Sequence, residues 1–234
     1  MKVVLVTGGS RGIGAATVKK FAEEKYTVIL NYNSSADEAK ALQNELNALR
    51  YDVHLMRANV SNAVEVAEMF LQIKKYFKHL DVLINNAGIA LNKLCQDVTL
   101  DEYDKVMNIN AKGAFLVSQQ AIKMFVSQGR GAIVNVSSIW GVEGASCESV
   151  YAMSKHAIVG LTKSLAEELA PSNVTVNCVC PPIVQTDMSR GFTKEDISEF
   201  CRQHNVRLYS AEMVAQDIFR LATSDKNGII LCER

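Results

Sequence analysis

The chain has no surplus of charge. Lys and Arg together number 25 and so do Asp and Glu, in 234 residues, so no net field draws it to nucleic acid or to an anionic membrane. No apolar run approaches the ~20 residues that a membrane span needs. The apolar start, Met1-Lys2-Val3-Val4-Leu5-Val6, is too short for the core of an export signal and moves straight into a glycine loop. The six cysteines, Cys95, Cys147, Cys178, Cys180, Cys201 and Cys232, lack zinc spacing, so no metal is expected. If its segment is a strand, Cys178-x-Cys180 is expected to point its thiols to opposite faces. Without an export signal, all six are expected as thiols of a cytoplasmic protein. What is present is 48% apolar residues, enough to bury a substantial core in one large α/β domain spanning residues 1–234.

Lys2 to Val6 is a short β-branched run, followed by Thr7-Gly8-Gly9-Ser10-Arg11-Gly12-Ile13-Gly14 and an amphipathic helix to about Glu24. Strand, glycine turn and helix N-terminus together make a pyrophosphate site: the glycines let backbone approach, and free N–H groups with the helix dipole attract anions. A purely structural turn fits the same residues, but the position after an opening strand favours the nucleotide. Thr27 to Asn31 reads as the second strand. An NAD site usually places an acid near that strand's end to hold the ribose 2′-OH. Residues 25–36 contain none and offer Asn31-Tyr32-Asn33-Ser34-Ser35 instead. With Arg11 as a fixed cation and Asn31 and Asn33 as donors, this suits a 2′-phosphate and hence NADP(H); a solvated loop charge is the plainer reading of Arg11.

Further on, helices over 36–50 and 62–77 alternate with strands over 53–56 and 81–84, the latter ending in Asn85-Asn86-Ala87-Gly88. A long helical pattern from Leu100 to Gln128 is softly broken at Asn108-Ile109-Asn110-Ala111-Lys112-Gly113, and a buried Asn there either satisfies a local carbonyl or holds a water. The run Ala132 to Val136 is a buried strand leading to Ser138. Next come a helix carrying Tyr151 and Lys155, and a strand over Val174 to Val179. This rhythm predicts right-handed βαβ units: a doubly wound parallel sheet (Rossmann fold) in three layers. Tyr151 and Lys155 are four residues apart and share a helix face. An ammonium that close is expected to lower a phenol pKa that starts near ~10, tuning it for acid–base work. A helix with a surface Tyr and Lys is the bland alternative. Against it, Gly8 to Gly14, Asn86 to Gly88, Ser138 and Pro181 all fall at carboxyl ends of strands, the edge where such sheets bind ligands. Residues 188–212 are expected to form a substrate loop, and Gly228 to Cys232 a possible last strand.

Taken together, Thr7-Gly8-x3-Gly12-x-Gly14, Asn85-Asn86-Ala87-Gly88, Asn110, Ser138, Tyr151-x3-Lys155 and Pro181 to Thr186 resemble the short-chain dehydrogenase/reductase family over essentially the whole chain. The segments Asn110 to Phe115 and Leu169 to Asn177 are most like 3-oxoacyl-acyl-carrier-protein reductases. Ser137-Ser138-Ile139-Trp140-Gly141 with Gly144 to Glu148 is similar instead to reductases acting on a modified lysine of elongation factor P. The resemblance implies that Tyr151 donates a proton to a carbonyl oxygen, Lys155 lowers its pKa and holds the nicotinamide ribose, Ser138 binds the substrate oxygen and Asn110 positions a relay water. It also implies phosphate contacts from Gly8, Ser10, Arg11, Gly12, Ile13 and Gly14. Asn59 and Val60 would flank adenine, Asn86, Ala87 and Gly88 the ribose, and Ile183 with Thr186 the nicotinamide amide. The substrate would be a small-molecule or carrier-bound carbonyl compound. A non-catalytic NADP(H)-binding sensor on the same fold is the alternative of a different class.

The chain departs from that family in three places: Asn59 stands where Asp is usual, Pro182 replaces a Gly, and the end at Glu233-Arg234 is expected to fall short of the family's closing strand. Such a tail commonly supports a subunit interface. The helical segment 100–128 shows apolar residues over more than one face (Val106, Ile109, Phe115, Leu116, Ile122, Phe125), so a homo-oligomer is expected, a dimer in preference to a tetramer.

Overall fold

The computed structural model describes residues 1–186 and 193–232. In chain order the elements are β1 (Val3–Val6), α1 (Gly12–Glu23), β2 (Thr27–Tyr32), α2 (Ala36–Ala48), β3 (Val53–Arg57), α3 (Ala63–Tyr76), β4 (Val82–Asn85), α4 (Leu100–Met107), α5 (Gly113–Gln128), β5 (Gly131–Val136), α6 (Ser149–Leu169), β6 (Val174–Val179), β7 (Val184–Gln185), α7 (Lys194–Gln203), β8 (Tyr209–Ser210), α8 (Ala211–Ala222) and β9 (Ile230–Leu231). Seven strands form one parallel sheet in the order β3-β2-β1-β4-β5-β6-β9, and β7 pairs with β8 in a small ribbon. The order reverses between β1 and β4, so the crevice at their carboxyl ends is where a ligand belongs in this topology.

The strands read as unbroken apolar runs because both faces of the sheet are covered. Successive side chains point to opposite faces, and the core divides accordingly. Val4 and Val6 pack with α1, α2 and α8 on one face, whereas Val3 and Leu5 pack with α3, α5 and the end of α6 on the other. A polar thread crosses the second layer. Asn85 Nδ2 donates to Ser118 Oγ (2.8 Å) and Asn135 Oδ1 (2.9 Å), and Asn135 Nδ2 donates to Thr162 Oγ1 (2.9 Å). These buried bonds tie β4 and β5 to α5 and α6 in one register, since any partner left alone costs about 1–3 kcal/mol.

Four expectations change. The soft break in the long helix is a π-turn over Asn108–Lys112, which widens the coil between α4 and α5 and turns Asn110 inward, where it is buried. Of the proposed substrate loop, residues 188–192 lie outside the described residues. The rest is ordered: Thr193 opens α7 with a reciprocal capping box to Asp196, followed by β8 and the start of α8. A closing strand does form, with Cys178 paired to Ile230 and Val179 to Leu231. Lastly, alternate residues of a strand share a face, so Cys178 and Cys180 lie side by side, Sγ to Sγ 3.9 Å, and not on opposite faces.

Candidate active site

The mouth of the crevice is knitted from two loops. Thr7 Oγ1 accepts the N–H groups of Asn86 (3.0 Å) and Ala87 (3.1 Å), while Asn86 Nδ2 donates to Thr7 O (2.9 Å) and Gly8 O (3.1 Å). Gly8 holds a left-handed φ of 62°, and a Cβ on Gly14 would lie 2.1 Å from Gly8 O. Only glycine lets α1 start this close beneath the loop. Arg11 is the N-cap of α1, no side chain caps that end and no acid sits in its first turn. Its N–H groups and dipole therefore face the mouth with no acid in the helix's own first turn, which fits a pyrophosphate. Thr186 comes to the same place, its Cγ2 3.3 Å from where a Cβ on Gly12 would be, so the segment after β7 meets the glycine loop. Pro181 and Pro182 are buried, Pro181 O accepting Ile139 N at 2.9 Å, and Ile183 O accepts Tyr209 N at 3.0 Å.

At the end of β2 the two asparagines part ways. Asn31 is buried and its Nδ2 donates to Met56 O (3.2 Å) and Ala58 O (3.0 Å), so its amide group joins β2 to β3. Asn33 is exposed, and Arg57 Nε donates to its carbonyl at 3.2 Å. Arg57 is a cation the sequence reading passed over; its signal was a position at the end of β3, in register with Tyr32. Asn59 Oδ1 accepts Ser61 N (3.1 Å) and Ser61 Oγ (2.8 Å), shaping the turn, and Val60 is buried against Gly113.

Ser138, Tyr151, Lys155 and Asn110 come together beside Gly88. The Ser138 hydroxyl lies close enough to the Tyr151 phenol to hold its pKa down. Lys155 Nζ donates to Val136 O at 3.0 Å and stands 5.6 Å from the centre of the Tyr151 ring. Asn110 Oδ1 accepts Ile89 N (2.8 Å), and its Nδ2 donates to Ile89 O (2.9 Å) and Ser154 Oγ (2.9 Å). Ser154 Oγ in turn donates to Tyr151 O at 2.7 Å, so the π-turn braces the helix that carries the phenol. A Cβ on Gly88 would lie 3.2 Å from Asn110 Oδ1 and 3.5 Å from Lys155 Nζ, and without one the backbone leaves a shallow cradle over both.

The electrostatics differ from the expected pattern. Burial pushes the Tyr151 phenol up to about 12; the Ser138 hydroxyl opposes this and the Glu148 carboxylate adds to it. Burial also brings Lys155 down to about 8, with Cys178 and Cys180 pulling the other way. The phenol is raised and not lowered as the four-residue spacing suggested, because burial takes away the water that would stabilise its anion. Tyr151 is thus a phenol that keeps its proton near neutral pH.

Glu148 was also missed. Half-buried, it has its pKa raised by burial, and Asn92 beside it opposes the shift. A wall of aromatic groups follows Ser138: Trp140 packs edge-on against Phe200 (5.5 Å) and His204 (4.9 Å), seating α7 over the site. Those partners are some sixty residues apart in sequence, which no local pattern links. A cavity of about 560 Å³ lined by Val3, Thr27, Asp52 and His54 opens at the amino ends of the strands, far from this chemistry.

A family model described as short chain dehydrogenase matches residues 2–197. A 3-oxoacyl-(acyl-carrier-protein) reductase FabG of Staphylococcus aureus is 36% identical over 225 residues, 96% of this chain and 92% of its own. The corresponding reductase of Aquifex aeolicus is 37% identical, covering 95% and 90%. Among solved structures, a protein from Agrobacterium tumefaciens described as a gluconate dehydrogenase superposes with TM-score 0.92 at 25% identity, over 99% of this chain and 93% of that one.

Proposed function

The chain belongs to the short-chain dehydrogenase family and is an oxidoreductase, and on that premise we propose that it reduces a carbonyl to an alcohol with NADPH. The observation that carries this reading is Tyr151 with Ser138 beside its phenol and Lys155 Nζ 5.6 Å from its ring centre, all set at the strand ends. Tyr151 holds the proton and gives it to the substrate oxygen, and Ser138 fixes that oxygen in reach. Asn110 positions the Tyr151 helix through Ser154, and Lys155 supplies charge and a donor to the ribose. NADPH, when bound, supplies the hydride.

Gly8, Ser10, Gly12, Ile13 and Gly14 are the residues proposed to hold the pyrophosphate, and Arg11 with Asn33 and Arg57 the 2′-phosphate. Asn31 acts behind them by fixing the strand end. Asn59 and Val60 are proposed for the adenine, Asn86, Ala87 and Gly88 for the ribose, Ile183 and Thr186 for the nicotinamide amide. The substrate class proposed, following the names of the relatives, is a 3-oxoacyl thioester on a carrier, and the location proposed is the cytoplasm.

A specific observation supports a second reading. Glu148 lies close enough to Tyr151 to act on its charge, and a half-buried carboxylate suits a ketone bearing an ammonium group, as on a modified lysine of elongation factor P. One experiment tests both. NADPH oxidation is followed with a 3-oxoacyl thioester, a neutral ketone and an amino ketone. The thioester is expected to be turned over fastest, and NADPH to bind at least several-fold tighter than NADH, a gap that Arg11→Ala narrows. Equal affinities overturn the cofactor assignment. Preference for the amino ketone, lost in Glu148→Gln, selects the second reading, and inertness of all three overturns both.

Self-association is also proposed, on a narrower base than the sequence suggested. Val106 and Phe125 are buried within the subunit, whereas Leu100, Phe115 and Val126 are exposed. Phe115 and Val126 are eleven residues apart, about three turns, and share a face of α5. Light scattering is expected to show a dimer; a monomer or a tetramer contradicts it.

A further inference from the structure

Three thiols gather where β9 closes the sheet, and the proposed reduction uses none of them. Cys178 N donates to Ile229 O (2.8 Å) and Cys180 N to Leu231 O (2.7 Å). The register pairs Val179 with Leu231, so one step further along sets Cys180 opposite Cys232. Paired residues of neighbouring strands face the same side, their Cα atoms about 4.8 Å apart, which lies within the span of roughly 4.4–6.8 Å that a disulfide bridges. Cys232 and Ser137 both act on the Cys180 thiol to lower its pKa, which agrees with the register in placing the two cysteines side by side. Cys180 is buried and Cys232 is exposed. All six cysteines are thiols.

We propose that Cys180 and Cys232 form a thiol-modification site that takes a small disulfide of the glutathione type and closes into an intrachain bridge between β6 and β9. Cys232, open to solvent, attacks the small disulfide as thiolate; a mixed disulfide forms and one small thiol leaves. Cys180 then attacks the Cys232 sulfur, loses its proton to solvent and expels the second small thiol. Two protein thiols are oxidised to one disulfide and one small disulfide is reduced to two thiols, so atoms and electrons balance. Cys180 is held up to about 12, first by its hydrogen bond with Cys178. Closure is therefore the slow step and quickens about tenfold per pH unit as its thiolate fraction grows. The bridge clamps a strand of only two residues (Ile230–Leu231) and shifts the Cys180 sulfur beside Ser137, whose hydroxyl donates to Lys155 O at 2.9 Å.

Incubation of the whole protein with oxidised glutathione, followed by peptide mapping without reduction, tests this. A Cys180–Cys232 peptide pair is expected, reversed by dithiothreitol, absent in Cys232→Ser and Cys180→Ala, and retained in Cys178→Ser. A Cys178–Cys180 bridge overturns the proposal. So does Cys232 persisting as a glutathione adduct at pH 9, and so does formation of the pair at a rate independent of pH. Because Cys232 is exposed, its serine variant leaves the core untouched and keeps the test valid even if Cys180→Ala folds poorly.

Discussion

Tyr151→Phe is expected to lower turnover by about 10²–10⁴-fold, the usual worth of a general acid, while NADPH affinity stays within a few-fold of wild type. The substitution removes one hydroxyl from a buried ring and keeps the ring's packing against Ile139, Trp140 and Ala152. It leaves Ser138 with its bond from Trp140 N (3.2 Å). A loss confined to turnover thus reports the proton and not the fold. The pH dependence sharpens the test. With the phenol pushed up to about 12 by burial, the acid form dominates across the neutral range. Carbonyl reduction, which consumes that proton, should show no alkaline fall from Tyr151 below about pH 10. Alcohol oxidation needs the phenolate and should remain slow until far higher pH. Stopped-flow binding and steady-state rates in both directions decide it; a Phe variant with near-normal turnover means another group gives the proton.

Much of this was legible from residues alone, and the reasons are physical. Buried parallel strands leave a signature of continuous β-branched runs, so β1, β2, β4, β5 and β6 stand out within a residue or two. Glycines forced by close approach, such as Gly14 beneath Gly8 O, are equally plain because no other residue fits. The site residues whose spacing is local, Tyr151 and Lys155, follow the same logic. Long-range burial leaves no local trace: the sign of the Tyr151 shift depended on how much water the fold removes. The short strand β9 lies within the Gly228 to Cys232 segment offered as a last strand, but its two residues are too few to fix its bounds from pattern. α7 lay hidden because its exposed, polar sequence reads as loop, although the Thr193 to Asp196 capping box was there to be found. Asn31 shows the opposite error, a polar side chain taken for a ligand donor that is spent on backbone carbonyls.

Lys155 is where site and stability oppose each other. Its ammonium is buried with one protein acceptor among the described residues, Val136 O, and burial brings its pKa from 10.5 to about 8. Below pH 8 both the folded and unfolded chains carry the proton, and the folded state bears the full cost of the buried charge. Between 8 and 10.5 the unfolded chain binds more protons than the folded one, so stability rises with pH there, by about 1.4 kcal/mol per unit and about 3 kcal/mol in all. Tyr151 acts in the opposite sense, since its raised pKa lowers stability only from about pH 10 upward. The window from 8 to 10 therefore belongs to Lys155. Lys155→Met is expected to remove activity and to match or exceed wild-type stability at pH 7, because the apolar chain needs no water, although Val136 O loses its donor. Wild type should then gain on the variant by roughly 1–3 kcal/mol between pH 8 and 10. Urea unfolding of both proteins across that range measures it. A flat difference would mean that the ammonium is solvated in the folded protein and that its charge is free to the site at no cost in stability.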